Sequence, residues 1–106
     1  MTSRVGLSIN WRDWHNPPFQ ECYFLVITPG VSTVKNLLDE AASCSPPIIY
    51  TFVSGVTGID GVEDNQDGNG NLWVCFVNGK VIPDGFADYT LYSGDNVILV
   101  YTHFSS

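Results

Sequence analysis

The sequence predicts an α+β fold, a mixed β-sheet with one helix packed on one face. Three observations point there. Two strongly apolar runs, Leu72–Val77 and Val97–Tyr101, are separated by the turn signals Asn78-Gly79, Pro83-Asp84-Gly85 and Ser93-Gly94-Asp95, the pattern of strand, tight turn, short strand, loop and strand. Val5, Leu7, Ile9 and Trp11 alternate with Gly6, Ser8 and Asn10, the period of a half-buried strand. Val31, Val34, Leu37, Leu38 and Ala41 fall at helical spacing, with Lys35, Asn36, Asp39 and Glu40 on the other face.

The elements follow in order. After the first strand, Asn16-Pro17-Pro18 marks a loop, and Cys22–Thr28 (CYFLVIT) reads as a second strand, apolar on both faces and ended by Pro29-Gly30. Ser32 or Thr33 caps the helix, and Pro46-Pro47 bars its extension. Asp39 and Glu40 lie near its C-terminal end, where the helix dipole disfavours them slightly. Ile48–Val53 is a third strand, and the glycine-spaced run Ser54–Gly61 suggests short strand pieces with bends. Glu63–Asn71 (EDNQDGNGN) reads as a polar, mobile loop before the final strand-turn-strand segment. Two strands, one helix, then further strands with a long last one is a β-grasp-like order, and the whole of 1–106 is read as a single domain. In this arrangement the helix end brings Cys44 near the start of the second strand. A Cys22–Cys44 disulfide is therefore expected to add on the order of 3 kcal/mol, with three free thiols as the alternative and intact mass with and without reductant as the test.

Composition narrows the function classes. The chain has 106 residues and net charge −7, with only Arg4, Arg12, Lys35 and Lys80 positive. No basic stripe neutralises phosphates, so nucleic-acid binding is disfavoured, as is an anionic membrane surface. No apolar run reaches membrane-spanning length and none opens the chain as a signal peptide, so Met1-Thr2-Ser3 is read as an expression start in place of a removed leader. Membrane insertion is not expected.

Catalytic and metal motifs are weak. Cys22, Cys44 and Cys75 show no zinc spacing. Glu63-x-Asn65-x-Asp67-Gly68 has Glu where a calcium loop begins with Asp, and Val74 stands where its bidentate Glu belongs. His15 and His103 lack a nucleophile motif around them, and no phosphate-binding glycine loop occurs. A binding protein is expected, not an enzyme. Trp11, Trp14, Phe19, Tyr50, Phe52 and Trp73 exceed what a small core needs, so some are expected on the sheet face the helix leaves open, against a large ligand, a partner domain or a second copy, with cover by the chain's own loops as the equal alternative.

The run Leu72–Phe104 resembles the C-terminal β-domain of the vitamin B12 carriers (the intrinsic factor, transcobalamin and haptocorrin family). The resemblance rests on Leu72-Trp73, on Gly85-Phe86-Ala87-Asp88-Tyr89 and on the closing strand to Phe104. Upstream, Thr33–Ala42 is similar to the carriers' helix, Ile49-Tyr50-Thr51-Phe52 to the strand after it, and Thr57–Gly61 to the next segment. Val77-Asn78-Gly79 and Gly94-Asp95 are shared with an uncharacterised group of bacterial β-grasp domains. The likeness implies a secreted, extracellular transport protein that binds cobalamin or another corrinoid as a stand-alone β-domain. A separate α-domain partner, a receptor or a homodimer would then complete the contact. The alternative is a protein-interaction module without a corrinoid. Carried over by position, the ligand-facing residues are Ser54, Val56, Thr57, Trp73, Cys75 and Ile82. Cys75 stands where a larger aromatic occurs in one of the carriers, intrinsic factor, and Ser54 falls in a shortened region. Cys75 is expected to pack as a small hydrophobe, with thiolate ligation of cobalt as the second reading.

Overall fold

The structure, a computed structural model, describes residues 3–14, 17–28, 30–43, 47–52, 56–68, 70–82 and 86–103, leaving aside the side chains of residues 3 and 22–26. Strands β1 (Ser3–Asn10) and β2 (Phe19–Ile27) are followed by helix α1 (Val34–Ala41). Then come β3 (Tyr50–Phe52), β4 (Val56–Ile59), β5 (Val62–Glu63), β6 (Leu72–Val77), β7 (Lys80–Ile82) and β8 (Asn96–Thr102). Among the described residues these form two sheets, a five-stranded one in the order β2-β1-β8-β6-β7 and a three-stranded one in the order β3-β4-β5. The central pair β1 and β8 is parallel and its neighbours are antiparallel. A parallel central pair with the first hairpin on one side and the last on the other is the β-grasp arrangement, so the fold is α+β as the sequence pattern predicts.

Local chemistry fixes the ends of the elements. Thr33 is the α1 N-cap: its side chain accepts from the Asn36 amide, while the Thr33 amide donates to Asn36 Oδ1 at 2.9 Å. This is a capping box with Asn in place of the usual Glu or Gln. The helix start is further stitched to the segment before β8 by Val34 N–H to Tyr89 O and Leu91 N–H to Ser32 O. Asn78 and Gly79 take φ of 54° and 82°, the left-handed pair that a two-residue β6–β7 hairpin requires. Asn78 also bonds Asp95 and the Asn96 amide, which ties that hairpin to the start of β8.

One face of the large sheet carries the core. Val5, Leu7 and Ile9 of β1, Val97, Leu99 and Tyr101 of β8, and Trp73, Cys75 and Val77 of β6 meet Val34, Leu37, Leu38 and Ala41 of α1. Burying Val34, Leu37 and Leu38 stabilises the helix by roughly 1.5–3 kcal/mol each. The second sheet closes the end of this core through Val56, Ile59 and Val62.

Several expectations change. The sequence suggested one mixed sheet; the glycine-spaced segment builds its own small sheet instead, because Asp60 and Gly61 adopt positive φ and turn β4 straight back into β5. The polar stretch after β5 is not a loose loop. Gln66–Gly68 forms a 3₁₀ turn, Asn65 N–H donates to Asn71 O, and Gly70 N–H donates to Asn65 Oδ1. The Trp73 amide donates to Asp64 Oδ1 at 2.8 Å, so the side-chain oxygens of Asp64 and Asn65 both serve the backbone. His15, Cys44 and the Cys22 side chain lie outside the described residues, and the Cys22–Cys44 pairing with them.

Candidate functional site

Strand β6 organises the residues the sequence singles out. Trp73 and Cys75 alternate onto its core face, and Cys75 pairs with Ile82 of β7 and with Leu99 of β8. Val56 of β4 joins the same buried cluster, and Ile82 packs against its edge. Four of the six predicted positions therefore belong to one core, and Cys75 and Ile82 are direct strand partners. Thr57, the fifth, is half-buried and donates from Oγ1 to Thr51 O. Ser54 lies outside the described residues.

Position and availability differ. Trp73 is buried and its indole N–H donates to Val62 O at 2.8 Å, so neither its ring nor its donor faces solvent. Cys75 is fully buried, and burial pushes its thiol up to about 12 from the ordinary 9.0. A thiol held neutral is a poor nucleophile, and Cys75 packs within the core with no exposed surface. Of the six, Thr57 on β4 and Ile82 on β7 keep partial exposure, and these two are the accessible rim residues.

The surplus aromatics divide: Phe19, paired with Asn10, stays exposed on the face the helix leaves open. Trp11 and Trp73 are not on the open face; they form the seam between the two sheets. Trp11 Nε1 donates to Ile59 O at 3.0 Å, and Tyr101 Oη donates to Glu63 O at 2.6 Å while accepting from the Gln66 amide. Their rings pack together with Trp73, at 6.3 Å edge-on for Trp11–Trp73 and 5.2 Å for Trp73–Tyr101. Trp14 lies against Tyr101 at 6.0 Å, and its own ring is partly exposed. Buried Trp and Tyr require partners for their polar ends, and the strand carbonyls of β4 and β5 supply them.

Two features escaped the sequence reading. Lys35 on α1 lies 3.7 Å from Asp39 and sits over the rings of Tyr50 and Phe52, while Tyr50 donates to Asp39. Burial and the Asp39 hydrogen bond hold the Tyr50 phenol above its usual range; the Tyr50 contacts, then Asp39, raise Lys35. The i,i+4 spacing of Lys35 and Asp39 was a legible signal of half this cluster. Between β2 and α1 lies a groove of about 330 Å³ lined by Ile27, Thr28, Ser32, Asn36, Asp39 and Glu40. Its polar, acidic lining differs from the apolar surface a corrin requires. Among the described residues no group of His, Cys, Asp and Glu is arranged to hold a metal ion. No described helix is long and apolar enough to cross a membrane.

These features define a β-grasp-like α+β domain whose helix-side face is filled by its own core. Residues 33–103 match a domain of unknown function (DUF4430), and the chain belongs to that family. No curated protein matches the sequence. Among solved structures the chain is similar to haptocorrin, solved in complex with Cbi, at a TM-score of 0.77 and 16% identity, over 99% of this chain and 26% of that one. The chain thus spans about a quarter of haptocorrin's length, and at this identity the likeness is one of fold.

Proposed function

We propose that this chain is a corrinoid-binding domain of carrier type, a single domain that acts outside the cell and binds its ligand without turning it over. One observation carries the reading: nearly the whole backbone superposes on part of haptocorrin, a protein solved with Cbi bound. The rim chemistry supports it. Ile82 offers apolar surface and Thr57 a hydroxyl, which suit a macrocycle that is apolar on its faces and fringed with amides. Val56, Trp73 and Cys75 act as packing within the core beneath these two residues. Ligand pockets bury about 70–90% of a small ligand, and one rim cannot do so. Tight binding therefore calls for a second surface, from an α-domain partner, a receptor or another copy.

Titration with aquacobalamin, cyanocobalamin and cobinamide tests this, read by corrin absorbance and by fluorescence of the partly exposed Trp14. Binding at micromolar protein is expected, weakened about tenfold by Ile82→Ala, the loss of roughly 1.4 kcal/mol of apolar contact. No spectral change with any of the three would sink the carrier reading. The second reading, a protein-interaction module without a corrinoid, is supported by the open face of the large sheet.

A further inference from the structure

The small sheet carries an ordered carboxylate beside Thr57. Its registers pair Thr51 with Gly58 and Gly58 with Glu63, so these three residues form one row across β3, β4 and β5. The neighbouring row, Tyr50, Ile59 and Val62, turns to the core, and the Thr51 row faces away from it. Gly58 stands at the centre of that row, and the Glu63 side chain fills the space a side chain would need there. A Cβ added to Gly58 would lie 1.6 Å from Glu63 Oε2 and 2.3 Å from its Cδ. The carboxylate thus lies flat on β4, with Gly58 buried beneath it.

Glu63 is held at every polar atom but one. Its amide donates to Gln66 Oε1 at 3.0 Å, its carbonyl accepts from Tyr101 Oη at 2.6 Å, and its Oε2 accepts from Thr51 Oγ1 at 3.2 Å. Among the described residues neither a donor nor a cation meets Oε1. Thr57 Oγ1 donates to the Thr51 carbonyl at 3.5 Å, so the rim hydroxyl and the carboxylate are tied to the same residue. The carboxylate is fixed in advance, and its free oxygen keeps acceptor capacity for a donor from outside.

Resting on the corrinoid reading above, we propose that Glu63 is a specificity-determining residue of the rim. Its carboxylate accepts an N–H of the ligand's amide fringe beside Thr57, and the domain thereby selects amidated corrinoids over those whose fringe carries carboxylates. An ionised carboxylate only accepts, whereas a primary amide offers two donors. The amide completes a charge-assisted hydrogen bond. A ligand carboxylate in its place supplies no donor and sets like charge against like, so repulsion discriminates as well as attraction. Gly58 makes the geometry possible, because any side chain there would lift the carboxylate off the sheet.

Titration of the 106-residue protein with dicyanocobinamide and with dicyanocobyrinic acid, whose fringe carries carboxylates in place of amides, tests this by corrin absorbance at neutral pH and ~0.15 M salt. Cobinamide is expected to bind at least about tenfold more tightly. A net charge of −7 opposes any polyanion, so the decisive quantity is how that ratio responds to substitution. Glu63→Gln keeps an acceptor oxygen and adds a donor, and is expected to lower the ratio about fivefold or more. Glu40→Gln removes the same charge from α1 and is expected to leave the ratio within about twofold. Gly58→Ala keeps every charge and displaces only the far end of a flexible side chain. It is expected to weaken cobinamide binding about tenfold with an unchanged far-ultraviolet spectrum. A ratio near one, a ratio lowered equally by Glu63→Gln and Glu40→Gln, or parent affinity in Gly58→Ala overturns the proposal while corrinoid binding stands. A parent protein that binds neither ligand overturns both the proposal and the reading on which it rests.

Discussion

The two faces of the large sheet carry similar residues to opposite ends. On the helix side, Trp11, Trp73 and Tyr101 are buried and each polar end is bonded to a carbonyl of the second sheet. On the far side, Phe76, Ile98 and Val100 are equally apolar but keep partial exposure, with no polar group to satisfy. The difference teaches that aromatic content alone does not mark a binding surface. Trp and Tyr in this chain act as bolts between layers, because their rings fill volume and their N–H or O–H groups cap strand carbonyls. The aliphatic residues and Phe make the free surface.

Breaking the seam should cost most. Trp73→Ala removes a buried ring and leaves Val62 O without its donor, and is expected to destabilise the protein by about 3–5 kcal/mol in urea unfolding. A loss below about 1 kcal/mol would mean the second sheet is held some other way. Tyr101→Phe keeps the ring and deletes only the hydroxyl that links Gln66 N–H to Glu63 O; about 1–2 kcal/mol is expected, and near-neutral behaviour would show that the ring carries the seam alone.

Alkaline pH probes the core beneath the rim. The Cys75 thiol is raised in the folded state, from 9.0 to about 12. The unfolded chain releases its proton first as pH rises, so the folded state binds more protons in that window. The stabilisation is therefore complete below pH 9.0 and is lost progressively between there and about 12, at up to about 1.4 kcal/mol per pH unit. Cys75→Ala should cost about 1 kcal/mol at neutral pH and flatten that part of the alkaline profile relative to the parent. Profiles that run parallel would show the thiol already ionises freely.

The smallest effect is expected on the open face. Val81→Thr, on the edge strand, should change folding stability by no more than about 0.5 kcal/mol. Substantial destabilisation there would show that something within the chain already covers it.

Much of the fold was legible because local rules and global architecture agree. The helical spacing of Val34, Leu37, Leu38 and Ala41 gives the buried face of α1, and the Asn78-Gly79 dipeptide gives the β6–β7 hairpin. The alternation in β1 gives its core positions. The open face was also written in the chain, since β8 (NVILVYT) is apolar at Ile98 and Val100 as well as at Val97 and Leu99. A strand with one solvated face would alternate with polar residues instead. The candidate site was legible only as positions: Val56, Trp73, Cys75 and Ile82 do come together, but that Trp73 and Cys75 lie under the rim depends on the layer packed over them.

The sequence by itself determined the element types, the hairpin turns and which helical residues are buried, because those follow from backbone propensity and hydrophobic period within a few residues. Tertiary structure alone decided that the glycine-spaced segment forms a second sheet. It also decided that the polar stretch after that sheet folds onto Tyr101 through Gln66, and that the tryptophans serve a seam. The contacts of Gln66 and of the tryptophans rest on hydrogen bonds between residues up to 48 apart. No local pattern encodes which distant carbonyl will need a donor; that is settled when the layers meet and every buried polar group has to find a partner.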